Sequence, residues 1–85
     1  MSQRLDQWIV FARFVKTRTI AVEIIGGGKV RVNGDKVKKP SFAIKAGDVL
    51  TLNYASQVRL IRILDVADKR GSPEQAQQLY EALPD

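Results

Sequence analysis

The sequence predicts an α+β fold: two amino-terminal helices packed on a small, mostly antiparallel sheet, with a carboxy-terminal helix closing the far side. Three observations predict it. Leu5, Trp8, Ile9 and Ala12 recur at helical spacing and form one apolar stripe. Lys29-Val30-Arg31-Val32 alternates polar and apolar residues and runs straight into Asn33-Gly34, the strongest short-range signal for a hairpin. Ser72, Pro73 and Gln75 make a helix start, with Ser as the cap, Pro at the first position and Gln closing a capping box.

In chain order, Phe11 and Val15 widen the first helical stripe, and Asp6 and Arg13 share the opposite face. This helix is expected to end near Lys16, where cations suit the negative end of the helix dipole. Thr17 or Thr19 caps a second helix with Ile20, Ala21, Ile24 and Ile25 on its apolar face. Gly26, Gly27 and Gly28 stop it, through a left-handed cap of the Schellman kind. After the hairpin turn, a second short strand around Lys36 to Lys38 pairs back and is ended by Pro40. Gly47-Asp48 makes a turn, and Val49, Leu50 and Leu52 begin a third strand. Gln57 to Val66 reads as a longer strand, with Val58, Leu60, Leu64 and Val66 on one face and Arg59, Ile61 and Ile63 on the other. Lys69-Arg70-Gly71 is a turn, and the last helix is expected to bury Ala76, Leu79, Tyr80 and Leu83. A chain of 85 residues makes one domain. It is expected to span residues 1–85, with a core motif at about 4–52 and a closing strand and helix at 57–83, the capped last helix completing the chain.

Composition narrows the function. There is no cysteine and no histidine, so disulfides, thiolate chemistry and the commonest general base and metal ligand are all absent. No catalytic triad, metal cluster or lysine in an apolar setting can be assembled, and neither enzyme activity nor a cofactor is expected. The glycine run is not a phosphate loop. Such a loop leads from a strand into a helix amino terminus, whereas here the order is helix, glycines, strand. Asp65 and Asp68 flank a turn beside Lys69 and Arg70 and read as solvated. No apolar run approaches the roughly 18 residues of a membrane-spanning helix. A cytoplasmic monomer without a membrane partner is expected.

Charge is the informative property. Ten of the fourteen cations lie in residues 1–45 against three acids, while residues 46–85 hold four cations and six acids. A one-sided excess is a surface built to meet a polyanion. Arg13, Lys16 and Arg18 straddle the joint between the first two helices. Lys29 and Arg31 take the polar side of a strand, and Lys36, Lys38 and Lys39 follow the hairpin turn. Arg18 and Arg31 are the sharpest candidates, because a guanidinium contacts phosphate through a planar fork where an ammonium is a point charge. Asn33 serves equally as a turn residue or as an added RNA contact. Trp8 belongs to the core stripe, while Phe14 and Tyr54 lie where they can stack on an unpaired base.

Arg4-Leu5-Asp6, Arg13, Lys16-Thr17-Arg18-Thr19, Ala21, Ile25, Gly28, Val30, Val32, Asn33-Gly34 and Gly47-Asp48 together resemble the S-four RNA-binding domain, also called the alpha-L motif, over about residues 4–52. Within it, Asp6-Gln7-Trp8, Ala12-Arg13-Phe14, Lys16-Thr17-Arg18 and the stretch from Asp68-Lys69-Arg70-Gly71 through Glu74, Ala76 and Leu79-Tyr80-Glu81 are similar to the heat-shock protein fifteen group of ribosome-associated proteins. Gln7 departs from the lysine usual there. The resemblance implies an alpha-L fold and non-catalytic binding of structured RNA, ribosomal RNA of the large subunit, as the partner. The implied contacts are Arg4, Arg13, Lys16, Thr17, Arg18, Lys29, Arg31, Asn33 and Lys36, with Asp6 orienting a neighbouring cation rather than touching RNA. Two other readings remain: a protein-interaction module docking through an acidic last helix, and the accessory RNA-binding fragment of an RNA-modifying enzyme.

Overall fold

A computed structural model describes residues 1–84. Ten elements follow one another: β1 (Ser2–Arg4), α1 (Leu5–Phe11), α2 (Arg18–Gly26), β2 (Val30–Val32), β3 (Asp35–Lys36), β4 (Ala43–Lys45), β5 (Val49–Tyr54), β6 (Gln57–Ile63), α3 (Pro73–Gln77) and β7 (Tyr80–Ala82). Five strands form an antiparallel sheet in the order β3-β2-β5-β6-β7, and β1 pairs with β4 in a separate ribbon. The alternation of β2, β5 and β6 turns Val30, Val32, Leu50, Leu52, Ile61 and Ile63 to one side. There they meet Leu5, Trp8 and Ile9 of α1 and Ala21, Ile24 and Ile25 of α2 in a single core.

Both amino-terminal helices end the same way. At α2, Gly28 takes φ +77°, its N–H donates to Ile25 O, and the Lys29 N–H reaches back to Ile24 O. This is the expected Schellman closure. The first helix stops earlier than its apolar spacing suggests, at Phe11 rather than near Lys16. Arg13 adopts φ 64°, its N–H donates to Val10 O, and the Phe14 N–H donates to Ile9 O. A left-handed arginine thus does at α1 what a glycine does at α2, and Lys16 falls in the joint. Thr17, not Thr19, caps α2 by accepting the Ile20 N–H. The Asn33-Gly34 turn has φ 52° and 87°, as a type I′ turn requires.

Two expectations are corrected, and one strand pair had no signal in the sequence. The buried face of β6 is that of Ile61 and Ile63, because they lie on the side of Leu50 in the register; Val58 and Leu64 are 64% and 47% exposed. The last helix is one short turn. Ser72 and Gln75 form its capping box, but Tyr80–Ala82 leaves the helical path and pairs with β6, so only Ala76 of the predicted stripe is buried on a helix. β1 and β4 have no alternation signal of their own and arise by pairing with each other across forty residues.

The tip of the β5–β6 hairpin is strained. Ala55 and Ser56 carry φ 55° and 61° in a two-residue turn with no glycine. Ser56→Gly is expected to stabilise the fold by about 1 kcal/mol, read as a higher urea midpoint. An unchanged midpoint would mean that the turn holds no recoverable strain.

Candidate nucleic-acid interface

The cations gather in two clusters at the two ends of α2, whose nine residues separate them by about 13 Å at 1.5 Å per residue. At the amino-terminal end lies Asp6, fully buried and not on an exposed face opposite the stripe as its spacing suggests. Arg4 donates from Nε and a terminal nitrogen to the two oxygens of Asp6, both at 3.0 Å, and Arg18 donates from Nε to Asp6 Oδ2, also at 3.0 Å. The Gln7 N–H adds a fourth bond at 2.8 Å. Burial pushes the Asp6 pKa up, but the hydrogen bonds from Arg4, Arg18 and Gln7 outweigh it and hold the carboxyl below the usual aspartate range. The Asp6 hydrogen bond in turn raises the Arg4 pKa. The carboxylate therefore fixes two guanidinium groups whose side chains stay 44% and 53% exposed. Arg18 uses only its Nε, and its two terminal nitrogens have no partner among the described residues.

At the carboxy-terminal end, the glycine turn brings lysines together. A β-carbon on Gly28 would stand 3.2 Å from Lys36 Cδ and 3.6 Å from Lys38 Cε, so those two stems lie across the bare backbone. Lys29 follows directly, and Arg31 faces Lys36 across the hairpin. Like charges directly opposite on neighbouring strands destabilise a sheet. Here no acid relieves them, since Arg31 hydrogen-bonds only the Gly34 carbonyl among the described residues. The segment leaving Lys36 and Lys38 continues to Pro40, whose carbonyl accepts the Asp6 N–H at 3.1 Å, and so joins the two clusters.

The remaining candidates separate from these. Arg13 donates to the Gly71 carbonyl at 2.9 Å, which turns its guanidinium to the 69–71 loop, and the backbone carbonyl of Lys16 accepts from Arg70 of that loop at 3.2 Å. Thr17 spends its hydroxyl on capping α2. Asn33 is held by structure: its Oδ1 accepts the Val49 N–H at 2.9 Å, and its Nδ2 donates to buried Asp48 at 3.1 Å, clamping the hairpin to the Gly47-Asp48 turn. Among the described residues the ion pairs are Arg4 and Arg18 with Asp6, Lys45 with Asp48, and Arg62 with Glu81. Arg13, Lys16, Lys29, Arg31 and Lys36 have none. No cluster of three or more metal-ligating side chains occurs among the described residues, and no helix is long and apolar enough to cross a membrane.

Sequence reasoning placed Lys38 on the basic hairpin but not among the contacts, and the glycine turn draws it into the second cluster; it left out Arg59, which lies over the Phe14 ring at 5.6 Å. The signal for Arg59 was its place on the core-facing side of β6, next to Ile61.

Comparison with known proteins bears on the family and the fold that carry these residues. The S4 domain family matches residues 3–50. A heat shock protein 15 homolog of Aeromonas salmonicida is 44% identical over 78 residues, which is 92% of this chain and 58% of that protein. The chain thus spans a little over half the length of that curated relative. A protein of Streptococcus pneumoniae named RQC P-site tRNA stabilizing factor is 30% identical over 94% of this chain and 89% of its own. Among solved structures, trimeric heat shock protein 15 of Vibrio cholerae superposes with a TM-score of 0.91 at 38% identity, covering 98% of this chain and 83% of that one.

Proposed function

This chain belongs to the S4 domain family, and from that premise we propose that it binds structured RNA of the ribosome without catalysing a reaction on it. The observation that carries the proposal is the pair of cation clusters at the ends of α2, whose only acidic partner among the described residues is a buried carboxylate that RNA cannot reach. Asp6 presets Arg4 and Arg18 as phosphate forks, while Lys29, Arg31, Lys36 and Lys38 form a second anchor over the glycine turn. Two anchors a helix apart grip a folded backbone at two places and favour its shape. Arg13 and Lys16 extend the contact towards the 69–71 loop. Thr17 and Asn33 act by holding the elements that carry their neighbours.

Residues 1–85 act as one RNA-binding unit, and the RNA is ribosomal RNA of the large subunit. A relative named for stabilising P-site tRNA supports a ribosomal setting and, with it, a cytoplasmic location. The monomer expected from the sequence gains no support from the solved relative, which is trimeric. A protein-docking role through an acidic last helix is disfavoured, since α3 is five residues long with Glu74 as its acid.

If about five to eight phosphates are neutralised, log K against log[salt] falls with a slope of about −4 to −7. Filter binding to purified large subunits across a salt series measures it. A slope near zero would overturn the proposal.

A further inference from the structure

The sheet outruns its core at one end. The core-side pairs of β5 and β6 run Leu50 with Ile61, Leu52 with Arg59 and Tyr54 with Gln57, from apolar to polar. Past the helix pair, Tyr54, Gln57 and Arg59 join Arg13, Phe14 and Ile24 around a cleft of about 150 Å³. A cavity of about that size accepts a single aromatic ring.

The cleft is built rather than incidental. Phe14 is set between Trp8 and Tyr80, at ring-centroid distances of 6.0 and 4.6 Å. Arg59 lies over the Phe14 ring and donates from Nε and a terminal nitrogen to Gln57 Oε1 at 3.4 and 3.3 Å. Its guanidinium is thereby held at the wall. Tyr54 adds a second ring and is 36% exposed. Of the four non-glycine residues with positive φ, Arg13 and Ala55 line the cleft and Ser56 follows Ala55 at the hairpin tip. Strain of this kind persists where the surrounding structure enforces a geometry.

The cleft also adjoins the second cation cluster. Ile24 lines it and accepts the Lys29 N–H at 3.0 Å, while the Lys29 carbonyl accepts from Asn53, the neighbour of Tyr54. The backbone of Lys29 therefore adjoins two of the segments that wall the cleft.

We propose that this cleft takes one unpaired base of a structured RNA, stacked on Tyr54, with Arg59 and Gln57 at its polar edge and Arg13 beside the adjoining phosphate. This rests on the RNA reading above and adds to it a requirement for a bulged or looped nucleotide. Phosphate contacts alone do not distinguish a paired from an unpaired residue, whereas an aromatic platform does.

The test uses the whole chain and two RNA hairpins that differ by a single bulged uridine, followed by fluorescence anisotropy at fixed salt. The wild-type protein is expected to bind the bulged hairpin about tenfold more tightly. Tyr54→Ala removes that preference and leaves the paired hairpin's affinity unchanged, and Tyr54→Phe keeps it. Tyr54 stands at an exposed hairpin end, and thermal melts of both variants check that the fold is intact. Equal wild-type affinity for the two hairpins overturns this proposal and leaves the phosphate-binding reading standing. A Tyr54→Ala loss that is equal on both hairpins also overturns it. Absence of salt-dependent binding to either hairpin removes both readings.

Discussion

Asp6→Asn is expected to lower stability by about 2 kcal/mol, a fall in melting temperature of about 10 °C for a domain of this size. The carboxylate is fully buried and receives four hydrogen bonds, three of them from two guanidinium groups. Removing one partner of a buried ion pair costs about 3–5 kcal/mol. The figure here is smaller because Arg4 and Arg18 are half exposed and regain water. The sign with pH follows from the depressed pKa. Above the ordinary aspartate value of about 3.9 the contribution is complete, and it is lost as pH falls through the lower value of the folded state. Urea melts at neutral pH should therefore separate the two proteins widely, and melts in strong acid should bring them together. A gap that stays constant with pH would mean that the ionised carboxylate is not what holds the joint.

The largest loss of RNA affinity is expected from reversing Arg31 and Lys36 together. The double variant Arg31→Glu, Lys36→Glu should bind about a hundredfold or more weakly at physiological salt, since each charge-assisted contact contributes about 1.5–3 kcal/mol. Its salt slope should be shallower by about 2. The fold should survive, because both side chains are exposed and the variant replaces one like-charged cross-strand pair with another. Binding isotherms over a salt series, beside a denaturation curve, read both quantities. A loss below tenfold would place the RNA away from the glycine turn.

Much of the amino-terminal half was legible because its signals are local. Thr17, the glycine run and Asn33-Gly34 each dictate backbone geometry within four residues, and each does so as expected. Apart from the early stop of α1 at the left-handed Arg13, what failed was decided at long range. The alternation of Gln57 to Ile63 allows two faces, and only the pairing of Leu50 with Ile61 selects the buried one. Ala76, Leu79, Tyr80 and Leu83 fit a helical period, yet a strand partner at Ile63 recruits Tyr80 into the sheet. The site divides likewise. One-sided charge and the arginines at the helix joint were visible in order along the chain. The burial of Asp6 was not, because it depends on Arg4 and Arg18 arriving from different elements. Phe14 and Tyr54 were visible as aromatics, but the cleft they share needed Arg59 from a strand forty-five residues beyond Phe14.

The stitching of α1 and the residues on either side of it to distant ones governs when the molecule can fold during synthesis. Trp8 donates its indole N–H to the Asp65 carbonyl, Gln3 exchanges hydrogen bonds with Ala67, and Arg13 reaches Gly71. These partners are translated some 57 to 64 positions later. After leaving the exit tunnel, α1 therefore waits, its tryptophan unsheltered, until residues 65–71 have followed. High contact order of this kind slows assembly, and the nascent chain stays exposed to premature association for that interval.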